Sequence, residues 1–240
     1  MPADAKLDRL RVVLVASRNP LNIGAAARAM GNFGFSNLRV VNPYDVAFRE
    51  ARSAVGASAI LAKAEEYKSV VEAVGDCTLV VGTTAGRRRQ LRHLLRPLAP
   101  GARIIRKRLG SSSVALLFGS EKRGLSAHDL SHCHWLMHIP TCEGHLSMNL
   151  GQAVALCLYE LVRAAKWPSA DNLTFANAGE IERITKALLE ALRLSGYEKP
   201  NAAAATELKI RGLVRRLCLQ SADADVWLGI LRQFLWKMKS

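Results

Sequence analysis

The sequence lacks the features of secreted and membrane-spanning proteins. Its five cysteines form no Cys-x-x-Cys pair and no framework of a small disulfide-rich domain. No stretch approaches the roughly 20 consecutive apolar residues that a membrane span requires. The opening residues, MPADAKLDRL, contain no apolar core of a secretion signal. We therefore expect a cytoplasmic protein with reduced thiols.

Acidic residues are few compared with basic ones. The 240 residues include 34 lysines and arginines against 20 aspartates and glutamates, which gives a net charge of +14. Residues 1–167 hold 23 basic and 12 acidic residues, whereas residues 168–240 hold 11 and 8. This excess favours RNA or DNA as a partner over a membrane surface.

Two common nucleotide-binding patterns are also missing. The glycines at positions 24, 31 and 34 lie within or beyond a predicted helix, not in the turn before it, so the GxGxxG fingerprint is absent. In LLFGSEKRGLS the lysine precedes the second glycine, which is not the order of an ATP-binding phosphate loop. An NAD enzyme and an ATPase are therefore disfavoured.

Short apolar runs alternate with helical patterns from residue 10 onward, which is typical of an α/β fold around a parallel sheet. We expect five or six strands, including LRVVLVAS, LRVVNP, CTLVVGTT, VALLFGS and HWLMHIP. A helix is predicted around residues 58–74 and a long one from near Asn149. A polar linker at 168–179 separates a first domain, 1–167, from a small all-helical domain at 180–240.

Three separated segments suit a ligand site at the carboxyl ends of these strands. The first, NIGAAAR, begins at Asn22 and suits an anion at a helix N-terminus, although Arg28 could also be a solvated surface arginine. The second is the glycine-bounded turn GSEKRG after the strand VALLF. The third joins IPT to Ser147-Met148-Asn149, where Ser147 or Asn149 could simply cap the next helix.

Taken together, NIGAAARAMGNFG, LRVVNP, LLFGSEKRGLS and IPT…LSMNL resemble the TrmJ branch of the TrmH family, within the SPOUT class of methyltransferases. The resemblance runs from about residue 10 to residue 166. It implies a SPOUT-type parallel sheet with a C-terminal trefoil knot that binds S-adenosyl-L-methionine, and a homodimer in which two subunits build each site. The implied reaction is 2′-O-methylation of a tRNA anticodon-loop ribose, at the cytidine or uridine of position 32.

The resemblance also assigns site residues by position. The implied catalytic residues are Arg28, which is the principal one, Asn22, Glu121, Ser147 and Asn149. The implied cofactor-binding residues are Thr83, Thr84, Ala85, Leu117, Gly119, Ile139, Ser147, Met148 and Asn149. Because the pKa of arginine lies above about 12, Arg28 is expected to orient the ribose or relay its proton together with an RNA phosphate.

Clusters of basic residues predict where the RNA backbone binds. The alternative is that these side chains are simply exposed to solvent and bind nothing. The expected RNA-binding residues are Arg87, Arg88, Arg89, Arg92 and Arg96 in the first domain and Lys209, Arg211, Arg215 and Arg216 in the second.

A group of histidines and cysteines between positions 132 and 142 matches no standard zinc spacing, so no metal is expected. Two other functions stay open: 2′-O-methylation of ribosomal RNA, and RNA binding by a catalytically silent member of the fold.

Overall fold

A computed structural model describes residues 6–44, 48, 58–85, 93–142, 147–163, 173–197 and 202–239. Within these ranges the strands are β1 (Leu10–Val15), β2 (Leu38–Val41), β3 (Glu65–Tyr67), β4 (Leu79–Thr83), β5 (Leu95–Pro97), β6 (Val114–Phe118) and β7 (Trp135–His138). These seven strands form one sheet in the order β3-β2-β1-β6-β4-β7-β5, and every pairing is parallel. The predicted parallel α/β sheet is therefore confirmed.

The sheet is buried on both faces, which explains why its central strands consist mainly of apolar residues. Val12 and Leu14 of β1 belong to one core cluster and Val13 and Val15 to the other, because successive side chains of a strand alternate between faces. The described helices are α1 (Pro20–Asn32), α2 (Ser58–Ala62), α3 (Val70–Ala73), α4 (Leu98–Leu109), α5 (Ala127–Ser131), α6 (Leu150–Val162), α7 (Ala178–Leu194), α8 (Ala203–Arg216) and α9 (Ser221–Lys239). None of them is long and apolar enough to cross a bilayer.

The prediction of a helix around residues 58–74 was wrong for the middle of this stretch. The edge strand β3 lies there, between the short helices α2 and α3. The other edge strand, β5, was not predicted either. Both have only three residues, and Glu65 and Glu66 of β3 are exposed, so neither strand carries the apolar pattern that identifies a buried one.

The helices α7, α8 and α9 form a unit with its own small core, and this unit is fixed to the sheet-containing part. The N–H of Ala178 donates to the carbonyl of Cys77 at 2.8 Å, and that of Gly179 to Gly75 at 3.0 Å. The helix α7 begins inside the predicted linker because Asn177 and Glu180 form a capping box at its start.

A buried ion-pair network also joins this unit to α5. Glu182 accepts hydrogen bonds from Nε and Nη2 of Arg211, both at 3.3 Å, and Arg211 Nη1 donates to Ser131 Oγ at 3.5 Å. Arg215 lies 3.9 Å from Glu182 and donates to the carbonyl of Ala178 at 3.3 Å. The two arginines are only 4% and 1% exposed. The expectation that Arg211 and Arg215 contact RNA is thus corrected, since a phosphate cannot reach them in this structure.

Two histidines between α5 and β7 are buried in uncharged form. Burial lowers the pKa of His132 to about 2, with a further contribution from the nearby Arg211. Burial likewise lowers the pKa of His134 to about 3, and its Nδ1 accepts the N–H of Val80 at 3.0 Å.

We expect the protein to lose stability as the pH falls below about 6.5, the ordinary histidine pKa. In the unfolded chain both histidines take up a proton there, whereas the folded state does not until far lower pH. Unfolding therefore gains protons throughout this window, and stability rises with pH. At pH 5 each histidine should cost about 2 kcal/mol of unfolding free energy relative to pH 7.5.

Urea unfolding at pH 5, 6.5 and 7.5 measures this loss. The matched control is His132→Leu, which removes one of the two groups and should roughly halve the joint contribution of His132 and His134. If the wild-type protein and His132→Leu lose the same unfolding free energy between pH 7.5 and pH 5, the conclusion that His132 is buried uncharged would be wrong.

Candidate active site

The three polar segments identified in the sequence meet at the carboxyl ends of the strands. Glu121, in the turn after β6, accepts a hydrogen bond from Asn22 Nδ2 at 3.1 Å and weaker ones from the backbone N–H groups of Asn19 and Arg18 at 3.3 and 3.4 Å. Asn22 Oδ1 accepts in turn from Asn149 Nδ2 at 2.8 Å. We call Glu121, Asn22 and Asn149 the polar triad.

The two helices at the triad, α1 and α6, both begin at a side-chain cap. Asn19 Oδ1 accepts the N–H of Leu21 at 2.9 Å, and Pro20 occupies the first turn of α1. Asn149 Oδ1 accepts the N–H of Gly151 at 2.9 Å at the start of α6. Asn149 thus caps its helix with its oxygen and binds Asn22 with its nitrogen.

Glycines allow the three segments to approach so closely. A Cβ on Gly119 would lie 2.1 Å from the backbone of Gly124 and Leu125, so no other residue fits that turn. A Cβ on Gly151 would lie 2.6 Å from Cβ of Ala25, where α6 packs on α1. The position of Asn149 relative to Asn22 therefore depends on Gly151.

The ends of the three neighbouring strands β6, β4 and β7 are linked to one another. Thr83 Oγ1 donates to the carbonyl of Leu117 at 2.8 Å, and the N–H of Thr84 donates to the carbonyl of Met137 at 3.0 Å. Leu117 itself is fully buried. The expected cofactor residues near these ends are at least partly exposed: Thr83, Thr84, Ala85, Gly119, Ile139, Ser147, Met148 and Asn149.

Arg28 is not part of the triad. It is exposed on the face of α1 that also carries Leu21 and Gly24, almost two turns after Asn22. Within the described ranges it makes no hydrogen bond or ion pair with Glu121, Asn22 or Asn149. Within one chain, Arg28 is therefore not held in place by these three residues assigned to catalysis.

The expected RNA-binding residues are divided by the structure. Arg87, Arg88, Arg89 and Arg92 lie outside the described residues. Arg96 is partly buried, with its guanidinium carbon 5.8 Å from the centre of the Trp135 ring. Lys209 and Arg216 are exposed on α8, in contrast to Arg211 and Arg215 on the same helix.

Sequence reasoning missed a strained segment directly after β1. Ala16 has a left-handed backbone with φ of 52°, which is uncommon for a residue with a side chain. The next residue, Ser17, is fully buried, and its hydroxyl has no hydrogen-bond partner among the described residues. No sequence signal marks either residue, because alanine and serine rarely indicate such a conformation. Across the described residues no group of three or more His, Cys, Asp or Glu side chains could hold a metal.

A profile of the SpoU rRNA methylase family matches residues 9–159, which contain the whole polar triad. The chain belongs to the SpoU methylase family. It is 32% identical over 232 residues to the tRNA (cytidine/uridine-2′-O-)-methyltransferase TrmJ of Pectobacterium atrosepticum, which covers 94% of this chain and 96% of that relative. It is also 32% identical over 241 residues to the tRNA (cytidine/uridine/adenosine-2′-O-)-methyltransferase TrmJ of Pseudomonas aeruginosa, with 95% and 94% covered.

A solved structure agrees over almost the same length. The crystal structure of TrmJ from Z. mobilis matches with a TM-score of 0.82 at 30% identity, covering 93% of this chain and 97% of that one. The resemblance drawn from the motifs is confirmed, and membership in this family of methyltransferases makes the chain an enzyme.

Proposed function

We propose that this chain transfers the methyl group of S-adenosyl-L-methionine to a ribose 2′-hydroxyl in the anticodon loop of tRNA, at the pyrimidine of position 32. The observation that carries the proposal is the polar triad, which joins three distant segments at the carboxyl ends of β1 and β6 and at the start of α6. The relatives at 32% identity over nearly the full chain are named as tRNA 2′-O-methyltransferases.

The residues present suit a bound S-adenosyl-L-methionine. The expected cofactor residues at the linked ends of β6, β4 and β7 are partly exposed, and Gly119 lets the turn after β6 close tightly on Gly124 and Leu125 beside them. Thr84, Ala85, Ile139 and Met148 would hold the cofactor largely through backbone groups, and Leu117 would support it from beneath. When bound, the cofactor supplies an electrophilic methyl group on its sulfonium.

The protein's own residues must position the ribose and manage its proton. Methyl transfer requires the hydroxyl oxygen within about 3–3.5 Å of the methyl carbon, in line with the bond that breaks. Glu121 fixes the turns after β1 and β6 through three hydrogen bonds, and Ser147 and Asn149 shape the pocket beside them. Arg28 orients the hydroxyl or relays its proton with help from an RNA phosphate.

A second copy of the chain would bring Arg28 to the cofactor. Leu21 is 80% exposed on the face of α1 that carries Arg28, and Tyr159 and Leu156 on the adjacent α6 are 50% and 39% exposed. Such an apolar surface is expected to be covered by another protein surface. We therefore place the homodimer interface on α1 and α6, with Arg28 directed at the partner subunit's cofactor site.

The trefoil knot is the remaining part of the proposal. The strand β7 lies between β4 and β5, although both precede it in the chain. The segment after β7 leaves the sheet at the carboxyl ends of the strands, where the β4–β5 connection also begins. It leads to α6, which packs on α1 and α4. This arrangement supports a path in which the C-terminal segment threads through an earlier loop.

Methyl transfer tests the proposed substrate. Purified protein is incubated with methyl-labelled S-adenosyl-L-methionine and either unmodified tRNA or ribosomal RNA transcripts. We expect label in tRNA only. Label in ribosomal RNA alone would identify the competing substrate, and label in neither, with no binding of the cofactor, would support the catalytically silent alternative.

We also expect tRNA affinity to fall on the order of a hundredfold or more between 50 and 200 mM salt, because several lysines and arginines would displace counterions from phosphates. Filter binding over a salt series measures the slope of log affinity against log salt. Lys209→Ala, at an exposed position on α8, should lower that slope by about one. A flat salt response in the wild-type protein would contradict a backbone-contacting surface.

A further inference from the structure

A cavity of about 440 Å³ lies between α5 and α8, where the helical unit meets the sheet-containing part. Its volume falls within the range of small-molecule sites, roughly 300–1,000 Å³. The lining residues are mainly apolar, and they include Ala127 and Leu130 of α5 and Ala205, Leu208 and Leu213 of α8. The cavity thus has the size and the lining of a ligand site that neither the triad nor the expected cofactor residues use.

Among the described residues, the charged side chains that line the cavity are all positive. Lys209, Arg216, His93 and Ser131 line it, and no carboxylate does so among the described residues. The Nε2 atom of His93 is buried without a hydrogen-bond partner in the described part of the chain. Burial and the neighbouring Arg216 lower the pKa of His93, so the ring is neutral at neutral pH. A neutral imidazole can form a hydrogen bond with an uncharged polar atom of a ligand.

The cavity lies away from the polar triad. His93 comes two residues before β5 and Ser131 comes four residues before β7, so both lie near the amino ends of these strands. The triad and the expected cofactor residues lie on the opposite side of the sheet, at the carboxyl ends of the strands. A ligand in the cavity would therefore be a different part of the substrate from the nucleotide that is methylated.

We propose that this cavity binds one unstacked nucleotide of the RNA substrate, remote from the methylated one, with its base among the apolar side chains and its phosphate against Lys209 and Arg216. The inference rests on the proposed function, because it assumes an RNA substrate. Single-stranded RNA loops present bases that can be splayed out and packed against protein side chains. The cationic rim complements a phosphate, and His93 is placed to read a base edge.

Filling the cavity tests the proposal without removing charge. Ala205→Trp places a large side chain at a cavity-lining, exposed position of α8, and Ala204→Trp is the matched control at an exposed neighbour that does not line the cavity. We expect Ala205→Trp to bind tRNA about tenfold more weakly than the control, the scale of losing one base contact. Because the phosphate beside Lys209 and Arg216 leaves together with the base, the salt slope of Ala205→Trp should also fall, as in Lys209→Ala, whereas that of Ala204→Trp should not.

Hydrogen exchange provides a second measurement that needs no variant. Backbone amides of α5 and α8 should exchange more slowly in wild-type protein when tRNA is bound. Equal tRNA affinity of the two tryptophan variants, or unprotected α5 and α8, would overturn the inference. If wild-type protein still methylates tRNA in that case, only the assignment of the cavity is wrong. If wild-type protein methylates no RNA, the proposed function itself is wrong.

Discussion

Replacing Arg28 with alanine should reduce tRNA methylation by a factor on the order of a hundred to ten thousand while affinity for S-adenosyl-L-methionine changes little. Arg28 is exposed and makes no hydrogen bond with the polar triad in the described part of the chain, so its loss leaves the cofactor pocket intact. The proposed role, orienting the ribose hydroxyl or relaying its proton, is needed only for the chemical step.

Single-turnover methylation and calorimetric titration of the cofactor separate the two effects. Arg193→Ala is the matched control, because Arg193 is also exposed on a helix but lies in the C-terminal unit. It should methylate within a few-fold of wild type. If Arg28→Ala weakens cofactor binding as much as it slows methylation, Arg28 belongs to the cofactor site and its assignment to the chemical step is wrong.

Glu182→Leu should destabilise the fold by about 3–5 kcal/mol, because it leaves two guanidinium groups buried without their shared carboxylate. Burial lowers the pKa of Arg215 only to about 10, so this arginine keeps its charge at neutral pH. Arg211 would retain Glu207, whose side chain is 44% exposed and 2.6 Å away. The network lies between α5 and α8, so its loss should also loosen the helical unit.

Urea unfolding at neutral pH measures the change. Glu207→Gln is the matched control, since it removes a carboxylate from the same arginine at a partly exposed position and should cost less than about 1 kcal/mol. Replacing Glu182, Arg211 and Arg215 together with apolar residues should recover much of the stability. A loss below 1 kcal/mol for Glu182→Leu would show that the buried pair is not held as the structure indicates.

The sequence was sufficient to predict the central part of the fold and the approximate location of the site. The strand β6 is a continuous apolar run and β1 is apolar except for Arg11, because both faces of the sheet are covered, and such runs can be recognised without a structure. The segments around Asn22, Glu121 and Asn149 follow predicted strand ends, where open parallel sheets bind ligands. Their assignment to specific roles, however, came from the family resemblance.

Other features depend on long-range contacts that local sequence does not encode. Arg211 and Arg215 have the same residue type as the exposed Arg216, and only packing against Glu182, about 30 positions earlier, distinguishes them. The strand β3 consists of Glu-Glu-Tyr, a pattern that indicates neither burial nor a strand. The left-handed backbone of Ala16 is likewise not indicated by its residue type, because alanine rarely adopts this conformation.

The proposed reaction is tested most directly by locating the transferred methyl group. Unmodified tRNA is incubated with the protein and isotopically methyl-labelled S-adenosyl-L-methionine, digested to nucleosides, and analysed by mass spectrometry. We predict one labelled 2′-O-methylpyrimidine nucleoside from the anticodon loop, with the label on the ribose. Label on a base instead, or no label in a protein that is folded and supplied with cofactor, would contradict the proposal.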